Sequence, residues 1–386
     1  MKIPFHKPIL PKNIDDLFTD SVRSGWLTTG PMVKKFEMRL SQYLQAKYVI
    51  AVNSGTAALH LALASNRFKE GSKFIAPTYT FVSTVEVGEY LGLNPILVDC
   101  DSKSFNMDLN QVENVLSKNN NIVSVIPVHF AGQAVNMDEL TYLADKYSVF
   151  ILEDAAHALE TVSSQNKVGS TNDAAAFSFY ANKNITTGGE GGAVSTNNKV
   201  LATTIRKLSL HGLSKDGWNR FKAGGRTAYD VSELGYKYNM TDISACFGLD
   251  QLQHINSWHK RRLQIVKKYH IGLKNIQGIL LPFDDNHLKH AWHLFIIQII
   301  PKRWQTDRDS LIKKLYELGI GTSVHYTPVH MHSYYAKKYE WKPKDFPLSN
   351  TLSETVISLP LYPALNDNEI TYIIENLNKL WIQYSI

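Results

Sequence analysis

One lysine stands between an apolar strand and a run of glycines, in Phe177-Ser178-Phe179-Tyr180-Ala181-Asn182-Lys183-Asn184-Ile185-Thr186-Thr187-Gly188-Gly189-Glu190-Gly191-Gly192. An amine partly desolvated in such a setting loses proton affinity and becomes a nucleophile toward carbonyls. A surface lysine is the ordinary alternative, but the glycines point to close approach of the backbone to something. Upstream, the strand Val149–Glu153 runs into Asp154, followed by Ala155-Ala156-His157. A carboxylate at a strand end can meet a ligand, or it can cap a helix. In Asn53-Ser54-Gly55-Thr56-Ala57-Ala58 a strand turns into a helix, where free N–H groups and a hydroxyl suit a phosphate. A plain helix cap by Ser54 or Thr56 is the alternative there, and neither G-x-G-x-x-G nor a Walker A loop follows the strand.

Taken together, an amine nucleophile, a strand-end carboxylate and a phosphate cradle indicate pyridoxal 5′-phosphate (PLP), with pyridoxamine phosphate (PMP) as its amino form. The lysine would bond the cofactor aldehyde, and the carboxylate would keep the pyridine nitrogen protonated. An aromatic side chain should pack on the ring face. Phe81, in Pro77-Thr78-Tyr79-Thr80-Phe81-Val82-Ser83, is sited for this after another strand, with core filling as its alternative.

Strands and helices that could hold these residues alternate from Lys47 to about Thr196. Strands are expected at Tyr48–Val52, Phe74–Ala76, Pro95–Asp99, Ile122–Val128 and Val149–Glu153, and helices at Thr56–Ala64, Ser83–Leu91 and Met137–Tyr147. Strands apolar on both faces imply an α/β fold with a mostly parallel sheet under helices, with ligands at the carboxyl ends of the strands. Leu213–Tyr238 reads as a long loop, and a long helix from about Thr241 to Leu273 leads into a second unit. That unit should contain strands at Leu294–Ile299 and Thr322–His325, and helices at Arg308–Leu318, Thr351–Ser358 and Asn366–Trp381. The expected division is a PLP-binding large domain with an N-terminal arm over 1–250 and a smaller α/β domain over 251–386.

Composition sets the outer limits. With 386 residues, 44% hydrophobic and 20% charged, the chain is neither disordered nor a single small core. The net charge of +6 is spread along the chain, which suits anionic small molecules better than nucleic acid. The basic run His259-Lys260-Arg261-Arg262 with Lys267-Lys268 reads as a solvated helical face. Two distant cysteines, Cys100 and Cys246, form neither a disulfide framework nor a zinc spacing, so a reducing compartment is expected. No apolar stretch of signal-peptide length opens the chain, and the run Leu294-Phe295-Ile296-Ile297 is broken by Gln298 and Pro301. A cytoplasmic protein without membrane insertion follows. The loop His325-Tyr326-Thr327-Pro328-Val329-His330-Met331-His332 has no acidic or cysteine partner nearby to complete a metal site.

Five segments in this order resemble the DegT/DnrJ/EryC1/StrS family of sugar-nucleotide aminotransferases. They are Ser24–Pro31, Asn53–Ala58, Glu153–Ala158, Phe177-Ser178-Phe179 with Lys183-Asn184, and Gly235–Met240. The likeness runs from about Ile3 to the C-terminal helix. Within the family, Tyr236–Ile243, His290–Ile297 and Gly319–Thr322 are most similar to the enzymes of UDP-4-amino-4-deoxy-L-arabinose type.

This resemblance implies the PLP-dependent transferase fold type I, like aspartate aminotransferase, and a homodimer with active sites at the subunit interface. Lys183 would be the Schiff-base lysine and Asp154 the partner of the pyridine nitrogen, with His157 near the ring's 3-hydroxyl side and Phe81 on its face. Gly55, Thr56 and Ala57 with Ser178 would hold the phosphate, joined by Asn239 from the second subunit. Trp26, Thr29, His325 and Tyr326 would face the substrate, with Arg226 and Lys215 as candidates for the nucleotide diphosphate. The implied reaction is amination of a nucleotide-linked, UDP-type 4-keto sugar from L-glutamate, for lipopolysaccharide, O-antigen or other surface-glycan synthesis.

Two positions depart from the pattern. The turn Thr186-Thr187-Gly188-Gly189-Glu190 sets its acidic residue one place further from the lysine than in 4-aminotransferases, as in some sugar 3-aminotransferases. Glu160 stands where the family usually has glycine. A sugar 3-aminotransferase is therefore one alternative, and a non-catalytic regulatory or binding protein on the same fold is another. The PMP-dependent sugar deoxygenation enzymes carry histidine at the lysine position, and Lys183 argues against them.

Overall fold

The computed structural model describes residues 1–9, 14–164, 166–213, 230–283 and 289–386, so Lys215 and Arg226 lie outside the described residues. The strands of the first unit are β1 (Tyr48–Val52), β2 (Lys73–Pro77), β3 (Asn94–Val98), β4 (Ile122–Val125), β5 (Phe150–Asp154), the small hairpin β6 (Val162–Ser163) with β7 (Asn166–Lys167), β8 (Ala174–Ser178) and β9 (Gly192–Thr196). Among the described residues, seven of these form one sheet in the order β1-β9-β8-β5-β4-β2-β3. The pairs β2–β3, β2–β4, β4–β5 and β5–β8 are parallel, as the apolar strands and intervening helices require. β9 is antiparallel to both of its neighbours, β1 and β8. Antiparallel neighbours need no crossover helix. Residues 179–191 therefore fold back from the carboxyl end of β8 into β9, and they carry Lys183.

Helices cover both faces. They are α1 (Ile14–Arg23), α2 (Pro31–Leu44), α3 (Gly55–Ala64), α4 (Ser83–Glu89), α5 (Leu109–Lys118), α6 (Met137–Tyr147) and α7 (Lys199–Leu208). Alternate strand residues feed different cores, because strand side chains alternate between faces. Ile50, Val52, Ala174 and Ala176 pack with Leu61 of α3 and Ile205 of α7. Val49, Ala51, Ala175 and Phe177 pack with Phe36 of α2 and with Leu249 and Ile255 of the long helix Asp242–Leu273. Phe36, Phe74, Phe177 and Phe179 are fully enclosed, each contributing on the order of 2–3 kcal/mol through burial.

The second unit is a three-stranded antiparallel sheet of β10 (Ile279–Leu280), β11 (Phe295–Ile299) and β12 (Val356–Leu359), backed by the helices Arg308–Glu317 and Asp367–Tyr384. The later turns of the long helix join its core through Ile265, Val266, Tyr269 and Leu273. So does Ile3, which bridges to Ile320 and exchanges main-chain hydrogen bonds with Gly319 and Gly321. The long helix thus belongs to both cores.

Three expectations are corrected. The helix expected over Thr351–Ser358 is Pro347–Thr355, and Val356–Leu359 is a strand, fully buried and paired with β11. The segment Thr322–His325 is not a strand; it is irregular, with Ser323 bridging Ser358. The basic run on the long helix is solvated only in part, because His259 and Arg262 are buried. Cys100 and Cys246 are buried thiols. No helix among the described residues is long and apolar enough to cross a membrane.

Candidate active site

A cavity of about 480 Å³ opens where the carboxyl ends of β1, β2, β4, β5 and β8 converge. Asp154 closes β5, its main-chain N–H bonded to the Pro127 carbonyl. Its carboxylate accepts hydrogen bonds from the Thr84 hydroxyl at 2.8 Å and the Ala156 N–H at 3.2 Å. No helix follows for Asp154 to cap, since residues 155–161 run as turns. Burial pushes this carboxyl above the usual range, opposed by Thr84, the Ala156 N–H and the charge of Lys183. Behind it, His129 Nδ1 accepts from the Val135 N–H, so Nε2 carries the proton and donates to buried Glu153 at 3.0 Å.

Lys183 faces Asp154 across this cavity. Its main-chain N–H bonds to Tyr180, and the loop is pinned at both ends by Phe179 N–H to Gly191 and Ala181 N–H to Gly189. Desolvation lowers the Lys183 ammonium from 10.5 to about 8, with Asp154 pulling the other way. The glycines that follow have two separate duties. Gly188, Gly189 and Gly191 adopt positive φ of 88°, 124° and 159°. Gly192 passes so close to α3 that a Cβ there would lie 2.3 Å from the Ser54 carbonyl oxygen.

Ser54 caps α3, its Oγ accepting from the Ala57 N–H at 3.0 Å. The first-turn N–H groups of Gly55 and Thr56 then have no carbonyl of their own helix to meet. Both residues line the cavity beside Ser178, and a Cβ on Gly55 would lie 2.8 Å from the Ser178 Cβ. Opposite, the Tyr326 hydroxyl lies 2.9 Å from His157 Nε2, and His157 Nδ1 is buried without a hydrogen-bond partner. His325 presses in from the same segment, and burial holds it far below the ordinary imidazole value, at about 3. Phe81 is 56% exposed and lines the cavity, so it does not fill a core.

The structure therefore gathers Gly55, Thr56, Phe81, Asp154, His157, Ser178, Lys183, His325 and Tyr326 around one space. Ala57 lies just behind, its N–H taken by Ser54. Trp26, Thr29 and Asn239 form a different cluster outside this cavity. The Trp26 indole N–H donates to the Thr29 carbonyl at 2.9 Å, and the Asn239 amide to the Thr29 hydroxyl at 2.8 Å. Arg226 is outside the described residues. Sequence reasoning missed Thr80, Ser83, Thr84, Tyr180 and Asn182, none of which carried a signal of its own, and it weighed Glu190 for the reacting carbon without naming it as a site residue.

Residues 8–378 match the model of the DegT/DnrJ/EryC1/StrS aminotransferase family. The chain belongs to this family. It is 40% identical to the spore coat polysaccharide biosynthesis protein SpsC of Bacillus subtilis, over 98% of this chain and 97% of SpsC. Among solved structures it is similar to Spr1654 of Streptococcus pneumoniae, assigned as a sugar aminotransferase. The PMP form of Spr1654 aligns with a TM-score of 0.91 and 32% identity, over 99% of this chain and 98% of that one, and a PLP form is equally close at 0.91. Helicobacter pylori PseC, an aminotransferase involved in pseudoaminic acid biosynthesis, aligns at 0.89 with 26% identity, over 99% and 100% of the two chains.

The chain is thus a PLP-dependent aminotransferase of fold type I. Its own residues fit that cofactor. A buried carboxylate suits a protonated ring nitrogen, an amine of lowered proton affinity suits an aldehyde, and the unpartnered His157 nitrogen awaits a polar group. The crowded glycine at the start of α3 leaves first-turn N–H groups open to a phosphate.

Proposed function

We propose that this aminotransferase moves the amino group of L-glutamate onto a nucleotide-linked, UDP-type keto sugar, with the 4-keto carbon as acceptor, in the synthesis of a surface glycan such as lipopolysaccharide or O-antigen. One observation carries the reading: the Lys183 amine and the Asp154 carboxylate share one cavity at the carboxyl ends of the parallel strands. SpsC and PseC, named for polysaccharide and pseudoaminic acid biosynthesis, support a glycan as the destination.

When bound, the cofactor supplies an electrophilic carbonyl and an electron-accepting ring. Lys183 would form the covalent anchor through Nζ and, once freed, carry a proton between substrate and cofactor carbons, for which a proton affinity near 8 is suited. Asp154, held by Thr84 and the Ala156 N–H, would keep a proton on the ring nitrogen. Gly55, Thr56, Ala57 and Ser178 would hold the phosphate, Phe81 would cover one ring face, and His157 would meet the 3-hydroxyl side. Asn239 points away from its own chain's cavity toward Thr29, which suits a role in the site of a second subunit of a homodimer. In that arrangement Trp26 and Thr29 would meet the substrate from the same side.

The longer turn before Glu190 bears on the reacting carbon. Gly188 and Gly189 carry the longer turn at positive φ and Glu190 lines the cavity, so the turn's likeness to some sugar 3-aminotransferases keeps a 3-keto sugar as the second reading. Two free buried thiols suit the cytoplasm.

The test is a visible absorption spectrum of the purified protein with PLP, before and after L-glutamate, repeated for Lys183→Ala. Conversion to the amino form by the wild type, with neither conversion nor turnover by a folded Lys183→Ala, is the expected result. A panel of UDP-linked 4-keto and 3-keto sugars then assigns the carbon. Multiple turnover by Lys183→Ala would sink the assignment, and a protein that binds no PLP would leave the regulatory or binding reading.

A further inference from the structure

Glu160 is fully buried in the turns after β5, and so is its partner Arg262 on the long helix. A buried charge without a partner is strongly destabilising, so each requires the other. Pairing alone does not exhaust the carboxylate. Glu160 Oε1 meets the Arg262 guanidinium, while Oε2 accepts from the Asn184 amide at 2.6 Å.

That contact decides the orientation of Asn184. A carboxylate only accepts, so the NH2 of Asn184 must face Glu160, with the Ala291 carbonyl as a second acceptor at 3.4 Å. The amide oxygen is then turned to His293 Nδ1, 3.0 Å away. An amide oxygen only accepts, so Nδ1 of His293 carries the proton and Nε2 is bare. The His293 ring packs on His157, with centroids 4.3 Å apart. Arg262 Nε also donates to the Ala291 carbonyl, so the same guanidinium holds both sides of the Asn184 pocket.

We propose that Glu160 is a positioning residue for Lys183: anchored by Arg262, its carboxylate locks the Asn184 side chain, and Asn184 sets the adjoining Lys183 on one side and the His293–His157 ring pair on the other. The inference rests on Lys183 as the reacting amine. It gives the departure from the family's usual glycine a purpose, tying the lysine loop to the long helix shared by both cores. Lys183, Asn184, Arg262, His293 and His6 line one small cavity of about 20 Å³ behind the loop. Burial keeps the imidazoles of His6, His157, His293 and His325 neutral. Asp154 is the charge that acts on Lys183, Glu190 lines the same cavity, and Arg262, paired with Glu160, lines the small cavity behind the loop.

The experiment compares Glu160→Gln, Asn184→Ala and the double variant as cofactor-loaded proteins. The measurements are kcat and KM for L-glutamate, the pH midpoint of the visible absorbance, and the melting temperature. Glu160→Gln leaves Arg262⁺ uncompensated on the small cavity that Lys183 also lines, so the absorbance midpoint should fall by about half a unit or more. Each single variant should lose about tenfold or more in kcat through misplacement of the amine, with KM changed far less. The double variant should be no slower than the worse single one, because the two residues act in series. A wild-type midpoint and kcat in Glu160→Gln, with only a lower melting temperature, would make the pair purely structural and overturn the proposal. Should Glu160→Gln not fold, Asn184→Ala decides alone, and a normal kcat there overturns it. A wild type that fails to react with glutamate defeats the underlying function instead, so the two failures are separable.

Discussion

Thr84 donates its hydroxyl proton to Oδ2 of Asp154 at 2.8 Å and lies 2.8 Å from the hydroxyl of Thr80, which can only be its donor. Two side chains that follow β2 thus reach across to the end of β5 and favour the ionised carboxylate. Without Thr84, Asp154 would hold its proton more tightly, because burial already pushes it that way. Thr84→Val should weaken PLP binding about ten- to a hundredfold, the equivalent of roughly 1.5–3 kcal/mol for one hydrogen bond to a charged group, while Thr84→Ser should stay near wild type. Titration of the apoprotein with PLP, followed by fluorescence, measures both.

Lys183 is tuned for reactivity against stability. Its folded value of about 8 lies below the ordinary 10.5, so the unfolded chain binds the extra proton between these limits. Stability from this group is therefore lost as pH falls from 10.5 to 8, and the loss is complete below that. Lys183→Met should stabilise the cofactor-free protein by about 1–3 kcal/mol at pH 7. The advantage should shrink as pH rises above 8 and vanish near 10.5. Melting curves of the two apoproteins across that range test the sign; a difference independent of pH would refute it.

Asp242 opens the long helix and also caps a different one. Its buried carboxylate accepts from the N–H groups of Gly30 at 2.7 Å, Val33 at 3.0 Å and Met32 at 3.1 Å, at the start of α2. Asp242→Ala would leave these donors without their acceptor, costing about 2–4 kcal/mol. Denaturant unfolding should read that loss, and limited proteolysis should find the Trp26–Gly30 segment more readily cut than in the wild type.

What could be seen in the sequence was local. The strands at Tyr48–Val52 and Phe74–Ala76, the turn into α3 and the lysine with its glycines were legible because apolar runs, caps and glycines act within a few residues. Chemistry that joins distant positions was not. Asp242 meets Gly30 across 212 residues and Arg262 meets Glu160 across 102, and no periodicity on either side announces the partner. Arg262 looked like part of a solvated basic run because the sequence shows its charge but not the carboxylate it faces. Val356–Leu359 was misread for the same reason: four residues suit helix or strand until β11 lies alongside. Conversely, Ser323 has a partner in Ser358, but one bridge does not make Thr322–His325 a strand.

Ile3 is packed among side chains from the last third of the chain and hydrogen-bonded around Ile320. On the ribosome, that residue leaves the exit tunnel long before its neighbours are synthesised. At ~5–20 residues per second, the wait is on the order of tens of seconds. During synthesis the sheet carrying Lys183 can assemble first, while the opening segment stays unpaired and available to a chaperone. The final step is then a stitch in which an early part of the nascent chain is sewn into one made much later.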